Sequence, residues 1–363
     1  MPRLDLHKKP YDEGTQEKLD FYRDYLLEWF HVFINSKYVD ELQVFDFFAG
    51  PGSDKTGKPG SPVITCDEIC KELGKREIKH KIRLYFNELD AEKFKDLSVF
   101  LNNQKQLMPQ VEFFEKQCTF HDAFDQWAQK MKSGAANLLF LDQNGLSQIT
   151  KPIFQSIVAM PKTDFIFFTA SAMVNRFKDK HDIRKYVPIT DDDFKTMNNA
   201  NVHRLLVNAY RRWIPNGIQY FLGSFSIQKG ANVYGLVFGS RHPRGIDKFL
   251  QIAWKHGGDA NFDIDNDHID PSAPSLFPDF DKPTKIQIFE KELEEAIADR
   301  HLTTNKEIYI FALQNGMLST HARDALNEMV KSKKLPTQKF HISYGAWGKP
   351  VSESIQYFTG ESK

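Results

Sequence analysis

The sequence predicts an α/β fold: a Rossmann-like sheet with helices on both faces, followed by a small C-terminal winged helix-turn-helix domain. Three observations predict it. Five short apolar runs, each closed by turn-forming or acidic residues, alternate with amphipathic helical stretches, the pattern of a buried parallel sheet. Two β-rich stretches follow with no helical pattern between them, as expected of a closing antiparallel hairpin. The last part of the chain then changes to short helical patterns.

Taken in order, Leu19, Tyr22, Leu26, Trp29, Phe30 and Phe33 recur at three- and four-residue steps, predicting a helix over 15–36 with one apolar face. Residues 1–43 are assigned to an N-terminal helical segment packed on the core. Leu42 to Phe48 reads as a buried strand that ends in Ala49-Gly50-Pro51-Gly52. Ile82 to Phe86 is the second strand, leading through Asn87-Glu88-Leu89-Asp90 into a helix over 91–102. Val111 to Phe114 begins a third that closes at Cys118 to Asp122. Leu138 to Leu141 is a fourth, ending in Asp142-Gln143-Asn144-Gly145, with a helix from Pro152 to Met160. Asp164 to Phe168 is the fifth. Runs 217–227 and 232–239 pair as the hairpin, joined by Gln228-Lys229-Gly230.

The sheet domain is therefore assigned to 44–256. Gly257 to Pro283 holds two Gly, four Pro and seven Asp, so 257–284 is read as a linker or surface excursion. Helices are predicted over 286–300, over 304–315 with Gly316 as C-cap, and from an N-cap at Ser319 to Lys331. Lys339 to Ser343 is the expected wing strand, and 285–350 the winged-helix domain.

Composition bounds the function. With 41% hydrophobic residues, 13% aromatics and 31 Phe, the chain is not disordered. Forty-eight basic and 48 acidic residues cancel, so a nucleic-acid partner has to be held by a local patch. No apolar run approaches the roughly 18–20 residues that span a bilayer, the charged first 14 residues carry no secretory core, and three cysteines make no disulfide framework. The expectation is a soluble cytoplasmic protein without membrane contact.

The most informative segment is Asp46-Phe47-Phe48-Ala49-Gly50-Pro51-Gly52. Ligands of open α/β sheets bind at the carboxyl ends of strands, and glycine lets backbone approach them closely. An acidic residue followed by Phe-x-Gly-x-Gly is the pattern of class I S-adenosylmethionine (SAM) methyltransferases. Glu88, Asp122 and Asp142 close the second, third and fourth strands. A carboxylate after the second strand can accept both ribose hydroxyls of a nucleoside, and one after the third the adenine amino group. The expected SAM contacts are Asp46, Phe48, Ala49, Gly50, Gly52, Glu88 and Asp122. Asp142 and Asn144 are the candidate catalytic residues, placed to orient the acceptor. Asp142-Gln143-Asn144-Gly145 lacks the Pro-Pro-aromatic run of nucleic-acid amino-methyltransferases, which leaves open a catalytically silent scaffold with the same fold. A Mg²⁺ hydrolase built on the Asp residues fits carboxylates at separate strand ends less well.

Other signals carry less. Asp263-x-Asp265-x-Asp267 has His268 where a calcium loop needs Gly, Cys66 and Cys70 have no second ligand pair, and no metal is expected. The turn over 240–244 is either a phosphate contact or a solvated basic turn. Lys331, Lys333, Lys334 and Lys339 surround the expected wing, with His321 and Arg323 on the preceding helix. Of these, Arg323, Lys331, Lys333 and Lys334 are the candidate nucleic-acid contacts, although winged helices also dock proteins.

Lys18 to Trp29, the Phe-Ala-Gly-Pro-Gly loop with Gly60-Ser61-Pro62, Phe86-Asn87-Glu88, Phe140 to Gly145, Phe167-Phe168 through Arg176-Phe177, His203 to Trp213, Gly235 to Gly239 and Ala260 to Asp265 together resemble the three-Cys-motif partner (TcmP) family over about residues 7–270. The C-terminal stretch is similar to the winged helix often attached to that family. The resemblance implies a SAM-binding core, a three-Cys-motif protein as partner, and a bacterial mobile-element or defence setting. Cys66, Cys70 and Cys118 are not that partner's motif.

Overall fold

Seven strands form one sheet: β1 (Glu41–Asp46), β2 (Lys81–Asn87), β3 (Val111–Lys116), β4 (Ala136–Leu141), β5 (Thr163–Thr169), β6 (Phe221–Lys229) and β7 (Asn232–Ser240). Their order is β3-β2-β1-β4-β5-β7-β6. The first five run parallel, and β7 runs antiparallel to both of its neighbours. The structure is a computed structural model that describes residues 10–132, 134–143, 148–169, 189–196, 202–229, 232–256 and 284–358. Asn144, Gly230 and the acidic stretch 257–283 lie outside the described residues.

Alternate strand residues face opposite layers. Phe45, Phe47, Tyr85, Leu139, Phe165 and Phe167 belong to one buried cluster with α4 (Phe120–Met131) and α5 (Lys151–Ala159). Trp127 of α4 lies 5.3 Å from Tyr85 and 5.5 Å from Phe47. The other face is covered by α1 (Glu13–Ile34). There the Tyr22 ring lies tilted 4.2 Å from that of Phe140, Phe21 tilted 4.9 Å from Phe225 and Tyr25 edge-on 4.8 Å from Phe238. The helix starts ahead of residue 15 because Asp12 caps it, its carboxylate accepting the Thr15 N–H at 2.9 Å. The insertion between β1 and β2 forms α2 (Ser61–Lys75), with Pro62 in its first turn. Also described are α3 (Ala91–Leu107), α6 (Asp191–Thr196), α7 (Val202–Arg211) and α8 (Pro243–His256).

The chain divides into two compact units at Gly245. That division falls ahead of residue 256, where the sequence ends its first domain, and assigns most of α8 to the second unit.

The second unit packs α9 (Lys285–Ala298), α10 (Asn305–Gln314) and α11 (Ser319–Lys331) around Phe289, Leu293, Ile308, Tyr309, Leu313 and Leu326. Thr284 with Gln287 and Thr304 with Glu307 form capping boxes on α9 and α10. The Tyr309 hydroxyl donates to Asp247 of α8 at 3.0 Å. Gly316 follows the C-cap of α10 with φ +72°, a left-handed position that suits glycine. Two expectations need correction. The N-cap of α11 is Leu318, one residue before Ser319. Residues 339–343 form no strand: the buried alternation of Phe340 and Ile342 seats them on the core without a partner ladder. Ser343 instead caps α12 (Tyr344–Trp347), accepting the Ala346 N–H at 3.1 Å.

Candidate functional site

The site lies where β1, β2 and β4 end. After Asp46 the chain turns over the sheet rim, with Phe47 N–H donating to Phe140 O at 3.3 Å and Ala49 N–H to Asn87 O at 2.9 Å. Gly50 and Gly52 take φ +65° and +99°. At Gly52 a side chain would meet nothing nearer than 3.7 Å, so conformation rather than space demands glycine there. Gly60 is demanded by space, since a Cβ would lie 2.8 Å from Gly52 O and 3.1 Å from the Tyr11 hydroxyl. Its N–H closes the loop onto Gly52 O at 2.7 Å.

Two side chains brace this loop. Asn87 donates to Phe47 O at 3.2 Å and Cys118 O at 3.0 Å, tying the ends of β1 and β3 to β2. Asp54 accepts from the Thr56 N–H and hydroxyl, from Lys58 N–H at 2.9 Å, and from Tyr11 N–H at 2.7 Å. Burial pushes the Asp54 carboxyl up, but these donors outweigh it and hold it down at about 2. Asp54 thereby straps the chain before α1 to the loop.

Three of the predicted carboxylates meet here. Asp46 is fully buried, and one oxygen accepts Phe48 N–H at 3.2 Å. The other is buried with no hydrogen-bond partner. Burial pushes this carboxyl up to about 7 against the pull of the nearby Ser61 hydroxyl and the Phe48 N–H, and the charges of Asp142 and Glu88 push the same way. Glu88 uses one oxygen for Gly50 N–H at 2.9 Å and the other for Asp90 N–H at 2.8 Å. Asp142 is ion-paired with Lys18 of α1, whose ammonium also sits 4.8 Å from the centre of the Phe168 ring. The Tyr11 phenol is raised by burial and then by Asp54, Asp142 and Asp46, which locates it among the same charges.

Other expected residues are placed differently. Asp122 belongs to the first turn of α4 rather than to a strand end, because Thr119 caps that helix. Asp122 and Thr119 satisfy each other, hydroxyl to carboxylate at 2.6 Å and N–H to hydroxyl at 3.2 Å. Phe48 stacks on Phe120 of the same turn at 5.3 Å. Ala49 is buried beside it. The turn over 240–244 lies at the far rim, where Ser240 pairs with Asp164 at the start of β5.

Sequence reasoning passed over Lys18, Tyr11 and Asp54. Lys18 was visible as the one charge in a helix stripe otherwise made of Tyr22, Tyr25 and Trp29. Asp54 was visible as Asp-x-Thr-Gly, which has the makings of an Asx turn.

In the second unit, Arg323 and Lys333 are exposed and form no ion pair among the described residues, whereas Lys331 pairs with Glu328 and Lys334 with Glu294.

The sheet order, with its reversed strand between the fifth and sixth, defines the fold class as a Rossmann-like methyltransferase fold with helices on both faces. Residues 263–338 match the GMT-like wHTH domain, which makes the C-terminal part similar to a winged helix-turn-helix. A comparison with curated proteins finds no match. Among solved structures the chain is similar to Trm1 from Pyrococcus horikoshii in complex with S-adenosyl-L-methionine, at 11% identity over 66% of this chain and 57% of that one, TM-score 0.39. It is similar to spermidine synthase from Thermotoga maritima at 12% identity over 66% of this chain and 63% of that one, TM-score 0.35. It is similar to a SAM-dependent methyltransferase from Agrobacterium tumefaciens at 8% identity over 61% of each chain, TM-score 0.34. The chain thus spans less than two thirds of the length of each of these. No described helix is long and apolar enough to cross a membrane.

Proposed function

We propose that this protein binds SAM over the rim of β1, β2 and β4 and transfers its methyl group to nucleic acid. The observation that carries the reading is the pair of left-handed glycines, Gly50 and Gly52, set beside a buried carboxylate with one unpartnered oxygen. Three neighbouring carboxylates, of which Asp142 is paired with an ammonium, favour a further positive charge, which suits a sulfonium with an amino-acid tail. In this reading Gly50 and Gly52 present backbone to the methionine part, Asp46 offers its free oxygen, and Glu88 accepts the ribose hydroxyls with lone pairs not used by Gly50 and Asp90. Phe48 and Asp122 border the adenine end. When bound, SAM supplies a methyl group already activated for displacement. The protein's own task is then to align and to exclude water. Asp142, with Asn144, holds the acceptor.

The winged helix presents the nucleic acid through Arg323, Lys331, Lys333 and Lys334, phosphate contacts that position without specifying sequence. From the family resemblance come a three-Cys-motif protein partner, a bacterial mobile-element or defence setting and a cytoplasmic location. A second reading is a methyltransferase-fold scaffold that docks that partner. It is favoured by the ion pair with Lys18, which already occupies Asp142.

Calorimetry with SAM and its demethylated product, S-adenosylhomocysteine, tests the first half. Saturable binding lost in Glu88→Ala is the expected result, and no heat with either ligand overturns it. Label transfer from SAM to DNA or RNA tests the second. Asp142→Ala is expected to stop transfer while retaining more cofactor affinity than Glu88→Ala, and normal transfer by Asp142→Ala removes its assigned role.

A further inference from the structure

Lys18 is in an unusual place. It is 7% exposed, one helical turn before Tyr22 on the stripe of α1 that packs on the sheet. Tyr22 lies on Phe140, so that turn carries Lys18 over the end of β4, where its ammonium meets Asp142 and the face of Phe168. A methionine or leucine of similar length would fill the same space without a desolvation cost, and buried ion pairs add little stability over such residues. Structure alone therefore gives no reason for a charge at this position. The electrostatics of the crevice do. Asp142 and Glu88 both act on Asp46, and Lys18 is the ammonium paired with Asp142.

Resting on the SAM reading above, we propose that Lys18 is a specificity-determining residue that sets the charge of the crevice through Asp142, lowering its preference for a cationic donor over a neutral product. A fixed ammonium disfavours a sulfonium relative to the thioether left when the methyl group departs. An interaction that disfavours the bound reactant more than the transition state, where the sulfonium charge is already dispersing, raises the rate of the step rather than the affinity. The pair with Asp142 keeps the effect graded, because the partner carboxylate attracts the same charge that Lys18 repels.

The test uses the full chain, with Lys18→Met, Lys18→Arg, Asp142→Asn and the Lys18→Met/Asp142→Asn double variant. Calorimetry yields the ratio of S-adenosylhomocysteine to SAM dissociation constants for each. In Lys18→Met the ratio is expected to shift about tenfold toward SAM, the size of one uncompensated charge at partly buried range. It is expected to stay near the parent value in Lys18→Arg, and to return toward it in the double variant. A parent-like ratio in Lys18→Met, or the same shift in Lys18→Arg, overturns the proposal. A parent chain that binds neither ligand sinks the cofactor reading itself. Where the ratio in Lys18→Met stays parent-like, the melting temperatures of the parent, Lys18→Met, Asp142→Asn and the double variant tell what remains of Lys18. Non-additive shifts leave a structural ion pair with no role toward a donor, and additive shifts remove even the pairing.

Discussion

Two carboxylates are buried at opposite rims of the same sheet. Asp46 is the last residue of β1 and Asp164 is near the first of β5. Burial pushes both up, Asp46 to about 7 and Asp164 to about 6. Their partners differ. Asp164 accepts the Tyr25 hydroxyl at 2.7 Å, and Ser240 pulls its carboxyl back down as well. Asp46 has the Phe48 N–H and a nearby Ser61 hydroxyl that pulls its carboxyl down, yet one of its oxygens is buried with no hydrogen-bond partner. A polar group buried without a partner costs free energy, so a chain that satisfies one rim and leaves the other open is holding the open rim for something else. Asp164 is what a structural carboxylate looks like in this fold, and Asp46 departs from it in the direction expected of a ligand site.

Substitution at each rim gives the largest expected contrast. Asp164→Ala orphans the Tyr25 hydroxyl and leaves a void, lowering unfolding free energy by about 2–4 kcal/mol. Ligand affinity should be unchanged at a temperature where the variant is folded. Asp46→Asn should lose no stability against the parent, because it removes a burial penalty, yet lose at least tenfold in SAM affinity. Denaturant melts and calorimetry on both variants check this. Equal losses of stability at the two rims would erase the distinction.

Each rim also has a glycine that tolerates no side chain. A Cβ at Gly60 would lie 2.8 Å from Gly52 O, and one at Gly245 would lie 2.4 Å from the Ser240 hydroxyl and 3.2 Å from Asp164. Both alanine variants should lose about 1–3 kcal/mol by overpacking. Only Gly60→Ala should also weaken ligand binding, by displacing the loop that carries Gly50 and Gly52. Calorimetry on the pair separates the two effects.

Acidity sharpens the comparison further. An unfolded Asp titrates near 3.9. Between roughly pH 4 and 6 both carboxylates hold a proton in the folded chain and have lost it in the unfolded one, so each contribution falls as pH rises, by about 1.4 kcal/mol per unit. The contribution of Asp164 stops falling near 6 and that of Asp46 near 7. Asp54 has the opposite sign: its stabilisation is present above about 4 and is lost as pH drops through about 2. Melting curves across pH should therefore show a shallower decline from 4 to 6 in Asp164→Asn, and from 4 to 7 in Asp46→Asn, than in the parent. SAM affinity should rise through pH 7 in the parent and stay flat in Asp46→Asn.

The rim holding Asp46 was legible in the sequence for a physical reason. Phe-Ala-Gly-Pro-Gly after an apolar run needs left-handed backbone, and glycine declares that need locally. Glu88 and Asp142 were legible because carboxylates directly after buried strands have few other places to go. Asp122 was misplaced since Thr119 made a helix start where the spacing implied a strand end, and caps decide such boundaries within one turn. Lys18 and Asp54 act across long separations, on Asp142 and on Tyr11, and no local pattern encodes a partner that far along the chain. The expected strand over 339–343 failed for the converse reason: alternation reports which side chains are buried, and a strand also needs a neighbour.

The smallest expected effect carries the same distinction into the second unit, where paired and unpaired charges again stand side by side. Lys331 and Lys334 already hold Glu328 and Glu294, while Arg323 and Lys333 are exposed without a carboxylate among the described residues. Exposed ion pairs are worth about 0–1 kcal/mol, but a lysine that keeps its partner releases fewer counterions from a duplex than one that is free. Binding of a DNA duplex, followed by fluorescence anisotropy across salt concentrations, should therefore show the slope of log affinity against log salt reduced by about 1 in Arg323→Ala and in Lys333→Ala. The reduction should be visibly smaller in Lys331→Ala and Lys334→Ala. Four equal reductions would mean that the ion pairs yield to phosphate, and four unchanged slopes would turn this face toward a protein partner instead.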